Sequence, residues 1–454
     1  MQQLETFIAL NRFGLGPAPG EAAIAAPDPR GWIADQITPA PRLPATLRGF
    51  RSSAAIFAEV YAARRIGPSD ETTAMAKDRR KTLAREIMAR AQAMIDTPTP
   101  FAERMVLFWS NHFTVSGTKG IIRNSIPGYE REVVRPHIFG RFADMLRAAS
   151  RHPVMLTYLD NHVSLGENSR VGKRRLNRTG GTKTLNENLA REILELHTLG
   201  VNGGYDQADV IELSKALTGW SHDGVGSKKA SYTIQGRFKF RPAFHEPGPK
   251  TVLGKTYGEA GADEGARILD DLARHPSTAR FIATKLVRHF VADTPPAEAV
   301  DSIARVFLDT DGDLAQVSRA LIALPQVWAN PLPKVKTHYE LVISTHRLTG
   351  NRDAKPRDLL QPLREFGQIP FAAPSPAGWG DSAADWLAPE ALMRRIEWIR
   401  RYASTLPTTL DPTLVLEDAL GPVASSETRT WVARAPSGDE AIAMILASPE
   451  FQRR

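Results

Sequence analysis

Hydrophobic residues recur at helical spacing along most of the chain, and helix start signals mark many of the same segments. These segments lie near 71–96, 100–113, 128–149, 184–199, 206–219, 261–275, 277–291, 313–324, 334–348, 385–404 and 437–447. One stretch, Ser231–Phe240, has the composition of a β-strand, and Thr251–Leu253 is its expected partner. The pattern predicts a mainly α fold, with a single large helical domain over 1–454 and a small β-hairpin excursion at 231–256.

One predicted helix carries a histidine within its hydrophobic stripe. The residues that lie within about 100° of one another on this helix are Phe101, Met105, Phe108, Trp109 and His112. Burial lowers the pKa of an imidazole, so His112 is a candidate metal ligand or base. The alternative is a structural histidine, neutral and hydrogen-bonded to a carbonyl or carboxylate in the core.

A second predicted helix gathers polar side chains on one face. Thr184 and Glu187 fit a capping box, which predicts that the helix begins at Thr184. At about 100° per residue, Asn188, Glu192 and Glu195 then share a face. Such a face can bind a metal ion, transfer protons or simply face solvent and pair with nearby cations.

The loop after the β-like stretch supplies a further imidazole, His245. The chain has no cysteine, so a metal would need His, Asp, Glu or Asn ligands, and the expected cofactor is one divalent ion (Fe, Zn or Mn) or none. In the metal hypothesis His112, His245 and Glu192 hold the ion and leave positions open for water or substrate. Glu192, Glu195 and Asn188 are the predicted catalytic residues, with one carboxylate as general base and the amide as an orienting group.

Composition is that of a globular protein with a large core, since 42% of residues are hydrophobic. No apolar run approaches the roughly 18–20 residues that a membrane span needs. The first residues lack a basic region followed by an apolar one, so a secretory signal is not expected. The expected location is the cytoplasm, although co-export to the periplasm with a signal-bearing partner would leave no mark on this chain.

The net charge of +8 is concentrated in one segment, 164–183, which holds six Lys or Arg residues against one Glu. This segment is predicted to be a loop that either is simply solvated or docks an anionic partner. The predicted partner-binding residues are Arg170, Lys173, Arg174, Arg175 and Arg178. No aromatic residue interleaves these charges, so nucleic acid is not the expected partner.

Several segments, in order along the chain, resemble the bacterial family catalogued as domain of unknown function 1800. They are FIALNRFGLGP at Phe7–Pro17, FWSNHFTV at Phe108–Val115, NENLAREILELHTLGV at Asn186–Val201, GGYDQADVIELSKALTGW at Gly203–Trp220, FHEPGPKTVLG at Phe244–Gly254, GW at Gly378–Trp379 and LASPEFQRR at Leu446–Arg454. Compared with the family pattern, 164–183 resembles an insertion. The resemblance implies no established activity, but it implies a neighbouring sulfatase-like protein as a partner.

Two functional hypotheses follow. The first is an enzyme with a His/carboxylate site, with or without a divalent metal, whose reaction is hydrolytic or oxidative. The second is a non-catalytic helical partner or maturation protein of a sulfatase-like protein, which docks through the basic loop. The chain contains no HExxH, GxSxG or phosphate-loop motif, so zincins, serine hydrolases and kinases of familiar type are not expected.

Overall fold

The computed structural model describes residues 2–39, 41–179, 185–225, 234–352 and 354–454. Its first twelve helices are α1 Gln2–Ile8, α2 Glu21–Ala25, α3 Pro29–Ala34, α4 Ser53–Ile66, α5 Asp70–Asp96, α6 Pro100–His112, α7 Ile126–Tyr129, α8 Phe142–Arg151, α9 Pro153–Tyr158, α10 Arg170–Thr179, α11 Asn188–Glu192 and α12 Gln207–Leu217. The later helices are α13 Ala262–Ala273, α14 Pro276–Phe290, α15 Ala297–Asp309, α16 Leu314–Ala323, α17 Pro325–Ala329, α18 His338–Leu348, α19 Pro356–Glu365, α20 Pro389–Ala403, α21 Pro412–Ala419, α22 Ser426–Ala433 and α23 Gly438–Ala447. The predicted mainly α fold is therefore confirmed. None of the described helices is long and apolar enough to cross a membrane.

Four short strands form two antiparallel pairs in the described residues. They are β1 Trp220–His222, β2 Phe238–Phe240, β3 Lys250–Val252 and β4 Lys255–Tyr257. Trp220 pairs with Phe240 across the first sheet, and β3 turns directly back into β4. The predicted pairing of Ser231–Phe240 with Thr251–Leu253 is wrong, because β2 pairs with β1 and β3 pairs with β4; residues 231–233 lie outside the described residues.

Helices were predicted best where periodicity and caps agree. The predicted segments 71–96 and 100–113 are confirmed as α5 and α6, and Ser69 caps α5 by accepting a hydrogen bond from the Thr72 amide. The predicted helix 128–149 is interrupted. A π-helical turn and a 3₁₀ turn follow α7, and α8 begins only after Pro136, which cannot donate a backbone hydrogen bond.

The helix with the polar face also differs from its prediction. It begins at Asn188 rather than at Thr184, which lies outside the described residues. From Ile193 to Thr198 it continues as a π-helix, which shifts the angular positions of the side chains beyond Glu192. The polar face predicted for Asn188, Glu192 and Glu195 at 100° per residue therefore does not describe the positions of side chains beyond Glu192.

Two hydrophobic clusters form the core of the described residues. The first draws on residues between Phe7 and Trp328, and the second combines Leu15 and Ala91–Ile95 with residues after 338. Helix α6 lies between them, since Phe108 belongs to the first cluster while Leu107 packs against the second. This helix carries the FWSNHF motif.

A buried carboxylate, Glu340, joins the elements where the two clusters meet. It forms ion pairs with Arg104 of α6 and with Arg454, whose Nε lies 3.0 Å from Glu340 Oε1. Its other oxygen accepts a hydrogen bond from the Thr337 amide and so caps α18. Burial alone would raise the pKa of Glu340, but Arg454 and Arg104 hold that pKa far below its ordinary range.

The two arginines are themselves fixed by backbone carbonyls. Arg104 donates to the carbonyls of Gly14 and Asn11, and Arg454 donates to that of His289. The cluster therefore ties the N-terminal segment, α6, α14, α18 and the C-terminal segment together, with ionic and hydrogen-bonding partners for each buried charge.

We expect Glu340→Gln to lower the free energy of unfolding by about 3–5 kcal/mol, because it leaves two buried guanidinium groups without a counter-charge. The matched control is Asp301→Asn, which breaks the exposed Arg280–Asp301 pair and should cost less than about 1 kcal/mol. Urea unfolding of the three proteins measures both effects. Equal, small losses for the two variants would show that Glu340 does not hold the elements together.

Candidate functional site

A cavity of about 120 Å³ lies where the two hydrophobic clusters meet. Its polar lining comes from α5, α6, α14, α18 and the segment 368–381, and consists of Arg90, Ser110, Asn111, Thr114, Lys285, His289, Thr337, Tyr339, Glu340, Gln368 and Asp381. Its apolar lining includes Phe108, Phe371 and Trp379. Titratable groups of both signs thus surround a small space.

The segment that carries Trp379 and Asp381 is held at both ends by side chains. Asn111 of α6 accepts a hydrogen bond from the Trp379 amide at 2.7 Å and donates one to the Trp379 carbonyl at 2.9 Å. Gly378 has φ +83°, and a Cβ there would lie 2.5 Å from Asn111 Oδ1, so only glycine fits this approach. At the other end the Asp381 carbonyl accepts from Lys334 Nζ at 2.6 Å.

Asp381 and His289 face each other across the cavity wall. His289 Nδ1 lies 3.8 Å from Asp381 Oδ1, which is an ion-pair distance and longer than a hydrogen bond. Burial lowers the pKa of His289 to about 4, and the positive charge of Arg454 adds to this effect, so the imidazole is neutral at pH 7. Burial alone would raise the pKa of Asp381, but His289, Lys285 and Lys334 lower it overall, so Asp381 is ionised.

The two nitrogens of His289 therefore differ in environment. Nδ1 faces a carboxylate, which favours the tautomer with its proton on Nδ1. Nε2 is buried and has no hydrogen-bond partner among the described residues. A buried nitrogen that bears a lone pair and lacks a partner calls for an explanation, and a ligand in the adjoining cavity supplies one.

Lys285 lies one helical turn before His289 on α14. Its Nζ forms no hydrogen bond or ion pair with any side chain in the described ranges, and its nearest described aromatic contact is the Phe281 ring, 5.7 Å from Nζ to the centre. Burial lowers the pKa of Lys285, Asp381 partly offsets that effect, and Arg288 reinforces it. An amine of this kind is neutral more often than an exposed lysine at the same pH.

Tyr339 and Arg90 form another side of the cavity. The Arg90 guanidinium lies 5.2 Å from the centre of the Tyr339 ring and 4.9 Å from that of Phe371. Its charge is neutralised by Glu130, which also accepts a hydrogen bond from Ser110 Oγ at 2.8 Å. The Tyr339 hydroxyl is buried and, within the described part of the chain, has no partner in hydrogen-bonding geometry.

Among the site residues predicted from the sequence, His112 is one whose pKa is lowered by the charge of Lys285, a residue of the cavity. Its Nε2 donates to the His197 carbonyl at 3.1 Å, which is the environment of a structural histidine. Burial lowers the pKa of both imidazoles, that of His197 to about 3, and the charge of Lys285 lowers both further. His112 is thus a neutral neighbour of Lys285 and does not line the cavity.

His245 is held in a different buried cluster. Its Nδ1 lies 2.9 Å from the Thr218 carbonyl and its Nε2 lies 3.1 Å from Glu264, which also pairs with Lys250. Within the described ranges, no three His, Asp or Glu side chains are grouped so as to hold a metal ion. The structure thus does not group His112, His245 and Glu192 into one site, since His112 is hydrogen-bonded to the His197 carbonyl and His245 to Glu264 and the Thr218 carbonyl. A metal cofactor stays a prediction.

The polar face of α11 lies apart from the cavity as well. Asn188 is exposed, and Glu192 and Glu195 are half-buried. Burial and the charge of Glu195 both raise the pKa of Glu192. Tyr205 donates a long hydrogen bond of 3.5 Å to Glu195.

The basic segment is not the predicted loop, since residues 170–179 form α10. Ser169 starts this helix by accepting a hydrogen bond from the Gly172 amide, and Glu246 fixes the preceding turn through both the amide and the side chain of Asn168. In the described structure, three exposed side chains of α10 have no ion pair or hydrogen bond: Arg170, Lys173 and Arg174. Arg175 lies on the same helix, and the side chain of Arg178 lies outside the described part.

Comparison with known families identifies the chain. A family model described as "Protein of unknown function (DUF1800)" matches residues 8–453. The chain belongs to this family. No curated protein and no solved structure matches it. Membership of DUF1800 confirms the resemblance seen in the sequence and assigns no reaction to the cavity.

Two of the segments that resemble DUF1800 meet at the cavity, where Asn111 of FWSNHF hydrogen-bonds the backbone of the GW pair at Gly378–Trp379. Sequence reasoning missed Lys285, His289 and Asp381 as site residues. Two signals could have pointed to them. Lys285 and His289 are four residues apart and so share a helix face, and Asp381 follows the GW pair closely. Other quoted segments are structural, since Arg12 and Arg454 bind backbone carbonyls in the core.

Proposed function

We propose that this protein is an enzyme that performs acid–base chemistry on a small carbonyl compound in the cavity between the two hydrophobic clusters. The observation that carries the proposal is that His289 lines the cavity with a buried Nε2 that has no hydrogen-bond partner among the described residues. Beside it lies the half-buried Lys285, whose Nζ forms no ion pair or hydrogen bond with any described residue. Buried polar atoms are rarely left unpaired in a native structure unless a ligand or water pairs with them.

Each residue has a role that follows from its surroundings. His289 Nε2 is the general base, because Asp381 faces Nδ1 and the imidazole is neutral at pH 7. Asp381 positions the ring and stabilises the imidazolium that forms when the base takes up a proton. Lys285 is the group that meets the carbonyl. The proposal keeps the type of site predicted from the sequence, a histidine with a carboxylate, and places it at His289 and Asp381.

The small size of the cavity limits the substrate class. A space of about 120 Å³ suits a molecule with few non-hydrogen atoms. The Tyr339 hydroxyl and Lys285 supply hydrogen-bond donors to carbonyl or carboxylate oxygens. Removal of a proton beside a carbonyl, and hydrolysis, both fit a base with these donors.

Proton NMR in ²H₂O tests this proposal with a panel of small aldehydes, ketones, keto acids and esters. We expect the wild type to exchange C–H protons in, or hydrolyse, at least one compound. His289→Gln should lower that rate by about 10²–10⁴-fold because it removes the general base. The control, Asp301→Asn, changes an exposed carboxylate and should leave the rate unchanged.

Two outcomes would contradict the acid–base proposal. One is full activity of a folded His289→Gln variant, with Asp381→Asn also fully active. The other is the absence of turnover of every panel member by the wild type, which would exclude the carbonyl class.

The exposed cations of α10 favour a second function, that of a partner protein for a sulfatase-like protein with an acidic surface. Arg170, Lys173 and Arg174 are exposed and, within the described residues, unpaired, so little favourable interaction is lost when they meet an anionic surface. Docking through α10 is compatible with catalysis in the cavity.

Co-purification with a co-expressed sulfatase-like protein measures this docking. We expect reversal of Arg170, Lys173 and Arg174 to Glu to abolish co-purification at low salt, because attraction becomes repulsion. The control reverses three cations on other helices: Lys81, Arg305 and Arg319. Equal retention of the partner by both triple variants would contradict docking through α10.

A further inference from the structure

We propose that Lys285 is a covalent nucleophile, which binds the carbonyl carbon of a small aldehyde or ketone as a protonated imine. This inference rests on the proposed function and specifies how the cavity holds its substrate. It goes further than acid–base chemistry, because it predicts a covalent bond between this chain and its substrate.

The contacts of Lys285 indicate an amine that is available to a substrate, because it is not held in a salt bridge. Lys285 lines the cavity, yet its Nζ has no hydrogen bond or ion pair with any described residue. The charge of the ionised Asp381 acts on Lys285 from beyond ion-pair distance. In contrast, Lys334 in the same region is fully engaged, with Asp293 as its ion-pair partner and the Asp381 carbonyl as an acceptor.

The lowered pKa of Lys285 also favours the reaction, because only the neutral amine is nucleophilic. An exposed lysine with a pKa near 10.4 is neutral in about one molecule in 10³ at pH 7. Burial lowers the pKa of Lys285 and so raises that fraction. Buried lysines are used in this way by enzymes that form imines with their substrates.

The bonds and protons balance without any oxidant. The lone pair of the neutral Lys285 Nζ forms the C–N bond, the π bond of the carbonyl breaks, and the carbonyl oxygen takes up one proton from the solvent. A water molecule then receives a proton from the nitrogen and returns it to the hydroxyl of the carbinolamine. The C–O bond then breaks, one water leaves, and the protonated imine that remains withdraws electrons from the neighbouring carbon. His289 Nε2 can then remove a proton from that carbon.

A second buried lysine provides an internal control. Lys336 has its Nζ 3.7 Å from the centre of the Phe451 ring and has no hydrogen-bond partner in the described structure. Burial lowers its pKa to about 7. It is not among the residues that line the cavity. Lys336 therefore shares the lowered pKa of Lys285 and does not line the cavity.

Reductive trapping on the folded protein tests the inference. Propionaldehyde and sodium cyanoborohydride at pH 7 convert an imine into a stable secondary amine, and peptide mass spectrometry locates the added propyl group. We expect Lys285 to react at least tenfold faster than exposed Lys81, and Lys336 to remain unmodified. Glyoxylate, used as a second probe, tests whether the donors of the cavity favour a carbonyl compound that carries a carboxylate.

The outcomes separate this inference from the acid–base proposal. A His289→Gln variant should still form the adduct at Lys285, because imine formation does not need that base, although its turnover is lost. If Lys285 reacts no faster than Lys81 with either probe, the covalent role is overturned. Turnover that depends on His289 would then leave the acid–base proposal standing with Lys285 as a hydrogen-bond donor.

Discussion

The buried ion cluster around Glu340 sets the positions of the helices on which the candidate site depends. Glu340 forms ion pairs with Arg104 and Arg454 and caps α18 by accepting a hydrogen bond from the Thr337 amide. Buried charges of this kind are costly when unpaired and become tolerable only with nearly ideal partners. Because α6 and α18 also supply Ser110, Asn111 and Tyr339 to the cavity, the interaction that joins the two hydrophobic clusters also defines the space between them.

The polar groups around this space fall into two kinds. Glu340, Arg90 and Lys334 have hydrogen-bonding or ionic partners and form a rigid frame. The buried His289 Nε2 and Tyr339 hydroxyl point to a ligand, since neither has a hydrogen-bond partner among the described residues. Lys285 Nζ, on the same cavity, forms no ion pair or hydrogen bond there. A frame with satisfied charges and a few unpaired groups is the arrangement expected of a preorganised site, because the frame need not move when a substrate binds.

The sequence predicted the architecture better than the site. Helices α5 and α6 were accurate because hydrophobic periodicity and terminal signals agree there. The prediction of one continuous helix over 128–149 was wrong, because the chain is interrupted around Pro136. The predicted strand pairing was wrong, because pairing depends on which segments meet in space. Periodicity also placed His112 correctly in a hydrophobic stripe, which is where the structure has it, with 2% exposure.

The predicted site residues are separated for a related reason. A helix period orients a side chain about its own axis and carries no information on which helix will approach it. His245 could therefore not be matched with Glu264, nor His289 with Asp381, which is 92 positions further along the chain. Tertiary packing decides these pairs. The close approach of Gly378 to Asn111, which places Asp381, depends on a backbone with positive φ that the sequence marks only by a glycine.

Direct titration of Lys285 tests the central claim, that an amine without an ion-pair partner lines the cavity. NMR of protein labelled with ¹³C at the lysine ε-carbon, with the Lys285 signal assigned through Lys285→Arg, follows its protonation. The account predicts that Lys285 titrates below the ordinary value near 10.4, because burial disfavours the charged form. Titration of Lys285 together with the exposed lysines would contradict it.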